Sequence, residues 1–210
     1  MLILRSMKTL PPVLVRLARF FSVLGHPLLL GSLVAVFLSL QAFGVRQALI
    51  AAGIVIGIIT LPVTLWNLRK TRKGEYSNFD VSVRTQRTSF YVFLIGAFAL
   101  ATAILVLTHQ PRALTLGVGF ALGMMVVCFA VNAFLVKTSL HSATAFFLSF
   151  TVMYYRVDLG VGMLVFSAVV GISRLLLGRH TLREICSGMV IGVATGIGLL
   201  CALPARGQIL

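Results

Sequence analysis

Acid is scarce in this chain. Four Asp and Glu stand against 18 Lys and Arg in 210 residues, for a net charge of +14. With so few carboxylates and no Cys/His ligand spacing, no metal centre is expected, and no cofactor motif is present. Charge of either sign is sparse, at 10% against 59% hydrophobic residues. That balance excludes a soluble enzyme and a disordered tail, and it belongs in a bilayer. Cys128, Cys186 and Cys201 lie in apolar runs without a Cys-x-x-Cys pair, so a disulfide module is excluded as well. Internal repeats and low-complexity stretches are also lacking, which argues against a solenoid.

Long apolar stretches are what the chain has. Candidate spanning helices fall at about 27–43, 47–67, 89–108, 113–136, 138–155, 159–177 and 185–203. The expected fold is all-α, a polytopic transmembrane bundle of six or seven helices. Residues 1–25, with Arg5, Lys8, Arg16 and Arg19 among large apolar residues, read as an interfacial amphipathic lead-in and not a removed signal peptide; 26–210 form the membrane domain. Gly188, Gly192 and Gly196 share one stripe of the last helix, where a neighbouring helix can approach closely.

The loops leave no room for a nucleic-acid domain, so the basic excess is expected to set topology, touch anionic headgroups or bind an anionic substrate. With seven helices, the N-terminus and the loops after the second, fourth and sixth share one side. Setting aside Arg84, Arg87, Lys137, Arg174, Arg179 and Arg183 as possible site or anchor residues, that side keeps 8 basic residues against 4 (Arg46, Arg112, Arg156 and Arg206). The positive-inside rule then makes it cytoplasmic, in a multi-pass protein of the cell (inner) membrane. The run Arg69-Lys70-Thr71-Arg72-Lys73 is the main topology signal.

Three polar clusters fall on this same side: Asp80 to Thr88, Lys137 to Ala143, and Ser173 to Glu184. Titratable residues at a membrane edge are costly and need a partner or a task. Arginine offers a planar fork for phosphate oxygens, lysine adds a point charge, and neutral imidazole can attack phosphorus or carry a proton. His180 and Glu184, at i and i+4, can form a pair in which the carboxylate holds one ring nitrogen and leaves the other free. His26 and His109, near prolines at helix ends, read as local hydrogen bonders without a role, and Arg179 and Arg183 as snorkelling anchors.

The third cluster fits Ser-Arg-x5-His-x3-Asp, with Glu184 in the last place, and so resembles the third signature of the type 2 phosphatidic acid phosphatase superfamily. The second cluster is similar to that family's Pro-Ser-Gly-His box at Ser139 and His141, with Thr138 and Leu140 in the other places. In the first cluster, Arg87 stands for the arginine of Lys-x6-Arg-Pro, with Thr88 for Pro and Asp80 for Lys. The resemblance covers about 80–184 and implies a metal-independent phosphatase acting on a lipid phosphate or isoprenoid diphosphate through phosphohistidine. It implies His180 as nucleophile, His141 as acid and Glu184 as the residue orienting His180, with Arg84, Arg87, Lys137, Ser139 and Arg174 around the phosphate. A non-catalytic member of the same fold that binds or moves an anionic lipid is the alternative.

Overall fold

The computed structural model describes residues 10–204; the lead-in's first nine residues, with Arg5 and Lys8, and also Arg206 lie outside the described residues. Eight helices run through the described residues, with no strand among them: α1 Pro12–Leu24, α2 Pro27–Ala42, α3 Val45–Arg72, α4 Arg87–Leu107, α5 Arg112–Phe134, α6 Leu140–Met153, α7 Val157–Leu176 and α8 Leu182–Ala202. Their starts follow local chemistry. Proline opens α1 and α2, where a missing N–H costs nothing, the Ser139 hydroxyl caps α6, and Thr181 with Glu184 forms a capping box on α8.

Five of these helices are long and apolar enough to cross a membrane, and α1 with α2, bent by 51°, makes a possible sixth span. The chain is a multi-pass integral membrane protein. The expected fifth span is shorter than its apolar run: α6 has 14 residues, about 21 Å of helix. Its flanks explain this, because Lys137–Ser139 runs extended to reach α8 and Tyr154–Tyr155 turns into α7. Nearly every side chain of α6 is buried, so it is a core strut that lipid hardly touches.

The glycine stripe of α8 lies against α6 as expected. A Cβ at Gly188 or Gly192 would run into the backbone of Ser139 or Ala143, and one at Gly196 into Phe150. α3, by contrast, continues five residues past its expected end at 67, carrying Arg69–Arg72 out of the apolar layer, and contains a π-helical segment at Ile56–Thr60. The chain then folds back over this end of the bundle. Trp66 stacks on Phe93 and donates to the Tyr76 hydroxyl at 3.2 Å, while Asn67 donates to the Phe79 carbonyl at 3.2 Å. Those contacts hold residues 73–83 above α2, α6 and α7.

Candidate functional site

All three polar clusters converge at that end. Asp80, Arg87, His141, Arg174 and His180 line one cavity, together with His26 from the start of α2. The backbone has been bent to allow it. Val81, a fully buried β-branched residue, sits at φ +48°, a conformation such residues rarely take, and its carbonyl accepts from Arg87 Nε at 3.0 Å. At the end of α7, Gly178 supplies φ +63°, which turns the chain so that the His180 N–H meets the Arg174 carbonyl.

His180 and Glu184 form the expected pair, with Nδ1 2.8 Å from Oε2. The same oxygen accepts from the Thr181 N–H at 3.2 Å and stands 3.4 Å from Lys137 Nζ. One carboxylate therefore both caps α8 and fixes the imidazole, leaving Nε2 as the nitrogen open to chemistry. Arg87 donates from Nη1 to the Thr138 carbonyl at 2.6 Å. Arg174 donates to Ser22 of α1 at 2.8 Å and stands 2.8 Å from Asp80 Oδ2.

Two phosphate-binding expectations meet a different placement. Arg84 points to the C-terminus of α5, donating to the carbonyls of Asn132 at 2.8 Å and Ala133 at 3.0 Å, because those last carbonyls have no partners in their own helix. Ser139 is fully buried, its hydroxyl accepting from the Ser142 N–H as the cap of α6. Neither lines the cavity. Lys137 stands behind His180, on Glu184 and the Arg179 carbonyl.

His26 is the local hydrogen bonder expected from the sequence, but sequence reasoning placed neither it nor Asp80 on the cavity wall. The His26 Nδ1 accepts from the Leu28 N–H at 3.3 Å, so the ring proton sits on Nε2, which faces Asp80 Oδ1 at 3.6 Å. The His26 ring also meets the His141 ring edge-on, centroids 5.3 Å apart. The signal was available, since Asp80 is one of four acids in the chain and stands among cations.

His26, Asp80 and His141 each bring a ligand atom within 4.8 Å of the others, close enough to share a metal ion. Two features oppose that use. Nδ1 of His26 is already an acceptor, which keeps the proton on Nε2, and the Arg174 cation shares the Asp80 carboxylate. Four buried polar atoms on the cavity wall, His141 Nε2, Arg174 Nε, Asn67 Oδ1 and Thr144 Oγ1, have no hydrogen-bond partner among the described residues. Each such atom costs about 1–3 kcal/mol, and a polar ligand would satisfy them.

The loop groups carry the electrostatic signature of an anion site. Burial lowers the His180 pKa to about 4 against the opposing pull of Glu184, with Lys137, Arg174 and Arg87 adding to the lowering. The ring is therefore neutral at pH 7 and nucleophilic. Asp80 is desolvated, which favours its neutral form, yet His26, His141 and Arg174 together hold its carboxyl well below the ordinary range. Burial also lowers Lys137, against Glu184.

Residues 132–208 match the model of the PAP2 superfamily. That stretch holds the second and third clusters and excludes the first, in keeping with the weaker fit around Asp80 and Arg87. Members of the superfamily are generally phosphatases, and the match suggests phosphatase activity. No curated protein and no solved structure matches the chain. What the match supports is a PAP2 superfamily domain over residues 132–208.

Proposed function

We propose that the protein is a membrane-embedded phosphatase that hydrolyses a lipid phosphate or diphosphate in two steps through phosphohistidine. The observation that carries this reading is the His180–Glu184 pair on the same cavity as Arg87 and Arg174. His180 Nε2 attacks phosphorus, the bond from phosphorus to the leaving oxygen breaks, and His141, entering the step as the imidazolium beside the bound phosphate, supplies the proton that oxygen takes. For an ester the leaving group is an alcohol; for a diphosphate it is the lipid monophosphate. The proton on His180 Nδ1 stays toward Glu184, which balances the positive charge of the phosphorylated ring. Water then attacks phosphorus, its proton passes to His141, and the N–P bond breaks to release phosphate and neutral His180.

Arg87 and Arg174 hold the phosphoryl oxygens, with the Lys137 cation one layer behind. Positioning and charge neutralisation supply most of the rate. The lipid-binding alternative has one observation in its favour: Asp80 already pairs with Arg174, which weakens the cradle.

Purified protein should release phosphate from lipid phosphates, and His180→Ala should abolish turnover while retaining the lipid. Acid quenching of the working enzyme should trap an acid-labile phosphate that His180→Ala lacks. Equal turnover in His180→Ala refutes the nucleophile, and lipid binding with no turnover in the unmodified protein establishes the alternative.

A further inference from the structure

The cavity does not stop at the polar residues. It continues between α2, α3, α4, α5 and α6 toward the opposite membrane face, with about 1170 Å³ of atom-free space when the open space at its mouth is counted. Its deep end is formed by Leu38, Phe98, Leu114, Gly117, Val118 and Thr151. Thr151 lies ten residues beyond His141 on the same helix, a depth of about 15 Å.

The space has a structural origin. α5 packs mainly on α4 and α8 and only slightly on α6, and the π segment Ile56–Thr60 swells the wall that α3 contributes. Polarity is graded along it. The unpaired atoms of His141, Arg174, Asn67 and Thr144 all lie in the upper part, within about one turn of the site, and the walls below are almost wholly apolar.

A head that needs charge and hydrogen bonds, continuous with a tail that needs neither, describes one ligand. Resting on the phosphatase reading, we propose that the hydrocarbon chain of the substrate enters the bundle and lies in this pocket instead of remaining in the bilayer, with Gly117 at its floor setting the chain length accepted.

Two glycines make the test clean. A Cβ at Gly31, near the head, meets nothing within 4 Å, and one at Gly117 meets only the Thr151 Cγ2 at 3.9 Å. Leucine at either position therefore fills the pocket, and in a helix interior it also favours the helix over glycine. Gly123, exposed on the outer face of α5, is the control.

In lipid nanodiscs, kcat/KM would be measured for n-alkyl monophosphates from hexyl to octadecyl. Binding of the same radiolabelled series would be measured separately on His180→Ala. Gly117→Leu should move the preferred chain shorter by roughly two to four carbons in both assays. Gly31→Leu should weaken every chain at least about tenfold, and Gly123→Leu should change neither profile. An unchanged profile in Gly117→Leu overturns the proposal and returns the tail to the bilayer. If the binding profile shifts while no variant or parent turns over, the pocket stands and the phosphatase reading falls.

Discussion

Asp80→Asn tests the electrostatic reasoning most sharply, because it should move stability and anion affinity in opposite directions. Asp80 Oδ2 stands 2.8 Å from a guanidinium whose side chain is 4% exposed. At that distance the gross attraction is roughly 6 kcal/mol for an effective dielectric of about 20. Leaving one member of a buried pair uncompensated costs about 3–5 kcal/mol. The Asp80 side chain is 21% exposed, so water can replace part of the loss and the low end, about 3 kcal/mol, is expected. Thermal unfolding in nanodiscs without phosphate should show the variant destabilised. Orthovanadate or inorganic phosphate should bind the variant more tightly, by about tenfold or 1.4 kcal/mol, since the freed guanidinium no longer shares its charge. The anion should then restore the lost stability by mass action. There is also a pH signature. Asp80 has a folded pKa below its unfolded value of about 3.9, so its contribution is full at neutral pH and is lost as pH falls below about 4. That part of the acid sensitivity should vanish in the variant. Weaker anion binding in Asp80→Asn would refute the reasoning, making Asp80 a helper of phosphate binding through His26 and not a competitor for Arg174.

Glu184→Gln should lower kcat by roughly 10²-fold or more and Glu184→Asp by much less, because the charge on the phosphorylated imidazole needs a counter-ion; a harmless Gln reduces Glu184 to a helix cap. The acid limb of the kcat/KM profile should fall near pH 4, the lowered His180 value, with activity lost as protonation removes the nucleophile, and a limb near 6.5 would show that His180 is not desolvated. Activity should survive excess EDTA, whereas loss on chelation and rescue by one divalent ion would identify His26, Asp80 and His141 as a metal site. Cysteine at the exposed positions Ser77 and Thr108, in a background lacking Cys128, Cys186 and Cys201, should be labelled in intact cells by an impermeant thiol reagent only at 108, and the reverse pattern would turn the site outward.

The helices were legible because bilayer solvation makes apolar length a direct readout of structure: 27–43 became Pro27–Ala42, and 113–136 became Arg112–Phe134. The same rule fails for α6, since a helix enclosed by protein need not match the bilayer thickness, and apolar composition cannot separate lipid-facing from core. The His180–Glu184 pair was legible because both partners lie within one helical turn. Residues paired across the fold were not. Ser22 and Arg174 lie 152 positions apart, and no local pattern announces their bond. The placement of Arg84 was not legible for a related reason, because basic residues next to a phosphate motif look alike in sequence whether they face an anion or a helix C-terminus. His26 was read as a local hydrogen bonder beside Pro27, which it is, and the same helix start that Pro27 opens also sets the ring beside Asp80.

The placement of the four acids gives the site its logic. Glu75 and Asp158 form exposed pairs with Lys70 and Arg156, where water screens them and they are worth little. The other two, Asp80 and Glu184, stand among Arg87, Lys137 and Arg174. Three cations alone could not be gathered in a water-poor pocket at the edge of a bilayer, because each would need a counter-charge. Two carboxylates leave an excess of one positive charge, enough to attract an anion and small enough for the empty site to fold. Glu184 is anchored by the cap of α8 and does not compete with substrate. Asp80 is held by one contact to Arg174 and one to His26, both of which an incoming phosphate could replace. The loop that carries Asp80 is thus the part of the site that substrate binding should reorganise, while the α7–α8 turn that carries His180 stays fixed.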